Sequence, residues 1–324
     1  MNRRYIVVTP CRNEAKNLPK LVQSMVSQTL RPLLWVIVDD GSMDRTPEII
    51  REAAQKYEWI KGVHLQKSEE YMGAHLAYVC NIGFEFARGY CDREGIPYEY
   101  IALVDADNIL EARYFEKLIE EFEKDEKLGI ASGNNAWTDI EKLLNELRKT
   151  KKDVSVMDSE FWQMYDSSVI QIGRGREDLP IGSARMWRRE CFEETGGYAY
   201  VHAPDSVSNV KAKVKGWKTK RFKHIKLIER EGSTAEGFWR GYKNNGESDF
   251  FLWYPLYFAL LKAIKYSFKK PYYSGIAYLL GYLKPRITGK KRINDVEIQR
   301  YYQLIRPAEL KAFYKEKIKR VFKK

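Results

Sequence analysis

Apolar residues along the first 130 positions come in short unbroken runs, each followed by a segment with a helical period. "YIVVTP" (5–10) is such a run, closed by a proline. After it Leu18, Leu21, Val22 and Met25 recur at three- and four-residue spacing, which predicts a helix over 17–30. "LLWVIVDD" (33–40) is a second run and ends in acids. Thr46, Pro47 and Glu48 then open a helix reaching about Tyr57, because proline suits the first helical position. "KGVHLQ" (61–66) predicts a third strand, residues 73–88 a third helix, and "YEYIALVDAD" (98–107) a fourth strand. Strands that alternate with helices predict a mostly parallel, twisted sheet with right-handed crossovers, an α/β architecture.

In such sheets ligands bind beyond the carboxyl ends of the strands. Three strand ends carry unusual residues: "TPCRNE" (9–14), "VDDGS" (38–42) and "VDADN" (104–108). In extended backbone Asp105 and Asp107 share one face, roughly 6–7 Å apart. Like charges near an apolar wall repel and are poorly solvated. Two readings account for them. A cation or a ligand's donor group sits between them, or Asp105, Asp107 or Asn108 caps a helix that follows. No GxGxxG follows the first strand and no GxxxxGK[ST] occurs anywhere, which argues against a dinucleotide-binding fold and a P-loop.

"VVTPCRNEAKNL", "WVIVDDGSMDRT", "ALVDADNIL", "GSARMWRRECFEETGGY" (182–198) and "APDSVSNVKAKVKGWKTKRF" (203–222) together resemble the family 2 glycosyltransferases of the A-type fold, in order and spacing, over roughly residues 4–235. The resemblance implies a catalytic domain over 1–235 that binds a nucleotide-diphospho-sugar, with UDP or GDP as the carrier, and moves a hexose. It implies Mg or Mn on the pyrophosphate, held by Asp107 and by Asp105, the latter directly, through water, or on the ribose. Asp39 would accept from the base, and Pro10, Arg12 and Glu14 lie in the first nucleotide-contacting loop. Asp40 is turned to the other face by strand alternation and reads as structural. An inverting transferase also needs a base for the acceptor hydroxyl. Asp205 stands at the family's position, with Pro204 where a glutamate often precedes it; the alternative for Asp205 is a helix cap. Relatives often carry a histidine metal ligand after the next strand. Alignment by that strand puts Glu229 there and leaves His224 on the surface, while an ion pair is Glu229's other reading. Arg188 and Arg189 have two readings, phosphate partners or solvated side chains. The Gln-x-x-Arg-Trp motif of processive members is missing, so one sugar is expected per encounter. The alternatives are a sugar-phosphate nucleotidyltransferase, disfavoured because "TPCRNEAKNL" has no glycine, and a non-catalytic membrane scaffold on a vestigial transferase fold.

Charge divides the chain in a second way. The net charge is +12, but residues 251–324 hold 18 Lys and Arg against 4 Asp and Glu, leaving 38 basic and 40 acidic residues in the rest. That tail also carries 16 of the 44 aromatics. "FFLWYPLYFALLKAIKYSF" (250–268) and "YYSGIAYLLGYL" (272–283) fall short of the ~20 apolar residues of a spanning helix. Both are flanked by basic residues. The expectation for 236–324 is a helical region attached peripherally to the cytoplasmic membrane face, next to a polyprenyl-linked acceptor. The structural alternative is packing on the body or self-association. Nucleic acid is not expected as a partner, since no binding module is visible. Four cysteines without CxxC spacing, and no secretory leader, are consistent with reduced thiols in the cytoplasm.

Overall fold

The computed structural model describes residues 3–66, 68, 74–137, 145, 148–149, 161–162, 177–229, 238–268 and 270–321. The chain divides into two compact units. One comprises residues 1–200 and 204–231, the other residues 201–203 and 232–324.

The first unit is built on strands β1 (Tyr5–Cys11), β2 (Leu34–Asp40), β3 (Ile60–Leu65), β4 (Tyr100–Val104), β5 (Asn108–Leu110), β6 (Leu128–Trp137), β7 (Ala184–Arg188) and β8 (Lys218–Glu229). They form one sheet in the order β3-β2-β1-β4-β7-β6-β8-β5. The first four are mutually parallel, as the alternating pattern predicts. Beyond them the sheet is mixed. β7 runs antiparallel to both β4 and β6, β8 is parallel to β6, and β5 is antiparallel to β8.

Every residue of β1, β2 and β4 is buried, because helices cover both faces. Tyr5 and Val7 join a core with α1 (Leu18–Val26), α2 (Thr46–Lys56) and α4 (Tyr114–Lys124). Ile6 and Val8 join a core on the other face with α3 (Ala74–Arg93) and α5 (Arg189–Glu194). A Cβ on Gly83 would lie 2.4 Å from Val8 and 2.8 Å from Val38, so α3 approaches the sheet where it has no side chain. Helix α6 (Pro204–Val214) precedes β8. All four cysteines are buried and unpaired.

The second unit is helical: α7 (Phe238–Phe251), α8 (Leu256–Ser267), α9 (Ser274–Ile287), α10 (Val296–Arg300), a π-helical turn Tyr301–Ile305, and α11 (Arg306–Val321). Glycines set its spacing. A Cβ on Gly246 of α7 would meet the Tyr278 carbonyl at 2.0 Å, and one on Gly281 of α9 would meet the Lys243 carbonyl at 2.0 Å. Both obstacles are backbone, so neither can swing aside. Gly246→Ala should therefore cost about 1–3 kcal/mol, the usual penalty for overpacking. Urea unfolding followed through this unit's tryptophans would read that loss; an unchanged midpoint would mean that the two helices can move apart. Asp249, buried beside this contact, accepts from Lys262 Nζ at 2.6 Å and from the Tyr278 hydroxyl. Among the described residues no helix is long and apolar enough to cross a membrane.

Candidate active site

The site assembles at the carboxyl ends of the central strands. β1 and β2 finish side by side, with Cys11 opposite Asp39. The loops that follow are laced together. The Asn13 N–H donates to the Ser42 hydroxyl and the Met43 N–H to the Asn13 side chain, both at 2.8 Å. The Glu14 N–H donates to the Thr46 hydroxyl at 2.8 Å and the Ala15 N–H to the Asp44 carboxylate at 3.0 Å. Asn13 has φ of 57°, a left-handed conformation that asparagine tolerates better than most residues. Pro10 is buried at the end of β1. Glu14 accepts from the Asn17 amide at 2.8 Å and its carbonyl receives the first N–H groups of α1.

Asp39 and Asp40 are both buried and point to opposite faces of β2. Asp39 accepts from the Ser42 N–H at 3.2 Å and stands 3.3 Å from His64 Nδ1 on β3. Asp40 lies 2.9 Å from His75 Nε2 and takes a 3.3 Å contact from Arg12, which also donates to the Ser68 carbonyl at 2.6 Å. Asp40 thus pins the first loop to the start of α3, the structural part that alternation implies. Above it opens a cleft of about 440 Å³ lined by Asp40, Leu65, Gln66, Ser68, His75, Tyr78 and Tyr200.

The "VDAD" segment departs from the extended form. β4 ends at Val104, residues 105–107 form a turn closed by the Asn108 N–H on the Asp105 carbonyl at 3.2 Å, and strand β5 follows. The Asp105 N–H is already committed to the Ser183 carbonyl at 2.7 Å, and Asn108 donates to that same carbonyl at 2.7 Å. The strand therefore breaks, and the same-face spacing of the two carboxylates does not apply. The capping alternative also fails here, since the next helix, α4, starts only at Tyr114. The antiparallel pairing of β5 with β8 sets Glu229 opposite Asn108, directly beside Asp107 in the chain. Burial pushes the Asp105 carboxyl well above the ordinary carboxylate range, and the charges of Asp107, Asp205, Glu229 and Glu14 push it further. The turn is thus a site of concentrated negative charge. Asp105→Asn should remove the cost of burying a carboxylate and relieve the repulsion, stabilising the metal-free chain at neutral pH by about 1–2 kcal/mol. Melting in a chelator would read the gain; a lower melting temperature would show that the charge is already compensated.

Asp205 sits in the first turn of α6. Its carboxylate is held from outside its own helix. The Tyr198 hydroxyl donates to Oδ1 at 2.6 Å, and the guanidinium of Arg185 on β7 lies 3.7 Å away. A Cβ on Gly182 would come within 2.1 Å of Asp205 Oδ2, so the carboxylate packs directly against that glycine. Arg185, 1% exposed, also donates to the carbonyls of Ile181 at 2.8 Å and Pro180 at 3.0 Å. The quoted "GSARMW" and "GGY" motifs contain Gly182, Arg185 and Tyr198, but only the fold turns them onto Asp205.

Two arginines prove structural. β7 runs antiparallel to β4, so Arg188 faces Tyr100 at the amino end of β4, away from the acids. It donates to the Leu128 and Phe122 carbonyls at 3.2 and 2.7 Å, while Arg189 pairs with Glu193 at 2.8 Å. The phosphate reading of both is thereby overturned. His224 is exposed on β8, near Glu121, as expected of a surface residue. The segment near 133–182, where sugar hydroxyls would be gripped, lies largely outside the described residues.

A half-parallel sheet with acids gathered at its central strand ends and a carboxylate held across from them defines an A-type glycosyltransferase fold. A family model described as "Glycosyl transferase family 2" matches residues 6–196, well over half of the chain, and the chain belongs to that family. It is similar to the glycosyltransferase GlyG of Streptococcus pneumoniae, 30% identical over 42% of this chain and 40% of that protein. It is also similar to the poly-beta-1,6-N-acetyl-D-glucosamine synthase of Staphylococcus epidermidis, 30% identical over 38% of this chain and 26% of that one. The match thus spans only a quarter to two fifths of these curated relatives. Among solved structures, the mannosyltransferase PcManGT from Pyrobaculum calidifontis, in complex with GDP-Man and Mn2+, superposes with a TM-score of 0.51 at 19% identity, covering 86% of this chain and 69% of that one.

Proposed function

We propose that this protein transfers one sugar at a time, with inversion, from a nucleotide-diphospho-sugar to an acceptor hydroxyl or phosphate. The observation that carries the reading is the turn that holds Asp105 and Asp107 together, with Glu229 brought opposite the adjacent Asn108 by the pairing of β5 with β8. So much negative charge is poorly suited to a structural role and well suited to a cation.

Asp107, Asp105 and Glu229 would hold that cation. Among the described residues no three His, Cys, Asp or Glu side chains form a metal cage by themselves. Mg and Mn at phosphate sites need no such cage, since one or two carboxylates suffice and phosphate and water oxygens complete the shell. The donor set is all carboxylate oxygen, which suits these hard ions. A bound divalent ion would neutralise charge building on the leaving diphosphate. The manganese and GDP-mannose of the Pyrobaculum transferase support the same type of donor here. UDP is the other candidate.

Asp39 would accept from the base, with Pro10, Arg12 and Glu14 shaping the loop beside the nucleotide. Asp205 would take the acceptor's proton on the side of the sugar opposite the leaving group. A phosphate acceptor is already ionised and would need no base. The acceptor would be carried on a lipid of the polyprenyl phosphate type, and the second unit would hold the chain at the cytoplasmic membrane face.

The test is a thermal shift with UDP, GDP, CDP and dTDP, each with and without Mn or Mg, on the wild type and Asp107→Ala. A ligand of the native state at a hundred times its Kd stabilises by about 2.7 kcal/mol. One nucleotide should stabilise only with metal, and the shift should vanish in Asp107→Ala. No shift with any nucleotide would overturn the donor reading and favour the scaffold.

A further inference from the structure

We propose that the outward face of the α8–α9 pair rests on an anionic lipid bilayer, lying in its surface plane. A helix pair in water normally hides its large apolar side chains and shows its charges. This pair buries Tyr278 and Tyr282 but leaves a set of large aliphatic side chains outside. On α8 the buried positions are Ala259 and Ala263, and Lys262 turns inward to Asp249. Leu260 (44% exposed), Leu261 (59%), Ile264 (57%) and, just past the helix end, Phe268 (82%) face out. On α9 the inward residues include Gly275, Ala277 and Gly281, while Ile276 (59%) and Leu280 (48%) face out.

The inner contacts are of the kind found between helices in lipid. Small residues let the backbones approach beside the buried Tyr278 and Tyr282, and the aliphatic side chains are left for the surroundings. A Cβ on Gly275 would stand 2.2 Å from the Ala263 carbonyl, so the two helices touch through their backbones. Water is a poor solvent for so many large aliphatic side chains on two neighbouring helices, and such exposure marks an interaction site. The helices have 12 and 14 residues, too short to span, which leaves the interface plane.

Charge selects the occupant. Residues 251–294 contain nine Lys and Arg and not one Asp or Glu. Lys262 and Lys290 are spent on Asp249 and Glu247 inside the unit. Lys284 and Arg286 are exposed in the last turn of α9. A second copy docked two-fold on this face would bring the same positive charge against itself, whereas anionic headgroups complement it. The proposal stands on the second unit alone and does not depend on the identity of the donor.

The experiment is co-sedimentation of the full chain with phosphatidylcholine vesicles, with and without phosphatidylglycerol, at low and high salt. The wild type should bind the anionic vesicles and lose most of that binding at high salt. The double variant Leu261→Glu, Ile264→Glu should bind at least about tenfold more weakly, since each side chain otherwise buries apolar area in the bilayer. Lys284→Ala and Arg286→Ala should each weaken binding about fivefold. Leu261→Ala, Ile264→Ala carries the same test should the glutamates prevent folding. Wild type that ignores anionic vesicles at low salt, or binding unchanged in both apolar double variants, overturns the proposal. So does light scattering that finds a lipid-free dimer which the double variants convert to monomer, because the face would then be a self-interface. Vesicle binding involves no nucleotide, so its failure is distinct from failure of the donor test.

Discussion

Asp205→Asn should leave metal-dependent nucleotide binding intact and lower the transfer rate about 10²–10⁴-fold, the usual contribution of a positioned general base. Asparagine keeps the shape of the side chain and can still accept from the Tyr198 hydroxyl, which stands 2.6 Å from Oδ1. What it cannot do is take a proton. The surroundings explain why this carboxylate and not a neighbour is assigned the task. Asp105 and Asp107 share a turn facing Glu229, where a cation would claim them. Asp205 arrives from another element, at the start of α6, and its partners Arg185 and Tyr198 come from β7 and the loop after α5. The measurement is a single-turnover transfer assay beside a nucleotide thermal shift. Transfer near the wild-type rate would assign the base to another residue, or point to a phosphate acceptor that needs none.

Arg185→Met should destabilise the first unit by about 2–3 kcal/mol, the cost of leaving buried acceptors without their charged donor. Methionine approximates the length of the arginine stem but donates nothing. The carbonyls of Ile181 and Pro180, now receiving the guanidinium at 2.8 and 3.0 Å, would be left without that donor, and Asp205 would lose its cation. Lysine should rescue only part, because its point charge cannot serve several acceptors that a planar fork reaches together. Chemical unfolding of both variants would measure the loss. A penalty below about 1 kcal/mol, typical of an exposed ion pair, would show that water replaces the guanidinium. The prediction for transfer differs from that for Asp205→Asn. Arg185→Lys should lower kcat with little change in the nucleotide's stabilising effect if Asp205 is the base, because it loosens Asp205 without touching the donor.

Much of the first unit was legible in sequence because its signals are local. β1, β2 and β4 are buried along their whole length, so each reads as an unbroken apolar run. The Thr46–Pro47–Glu48 start and the Lys56 end of α2 match their sequence signs closely. Helix α3 runs on to Arg93, a full turn past the expected end, since the buried Ala87 and Cys91 extend its apolar stripe. The acids at the strand ends were visible for the same reason: a charge that interrupts an apolar run stands out.

Other features depend on residues far apart in the chain. Glu229 meets the "VDAD" turn only because β8 pairs antiparallel with β5, across 121 positions from Asn108. Arg188 and Arg189 look alike to Arg185 in "GSARMWRR", yet strand alternation and the sense of β7 bury Arg185 under Asp205 and send the other two to the far end of β4. The pattern of α8 announced an apolar helix but not which side faces in. That choice shows in Gly275, which lies against the Ala263 carbonyl and the Ser267 hydroxyl, and in the buried Ala259 and Ala263. Sequence by itself determined the parallel half of the sheet, the family and the acids at the strand ends, because burial and turns are written in local period and residue type. Tertiary structure decided which acids meet, which arginine holds Asp205 and which face of the helix pair is left to the surroundings, because pairing, register and close approach depend on partners that local pattern does not name.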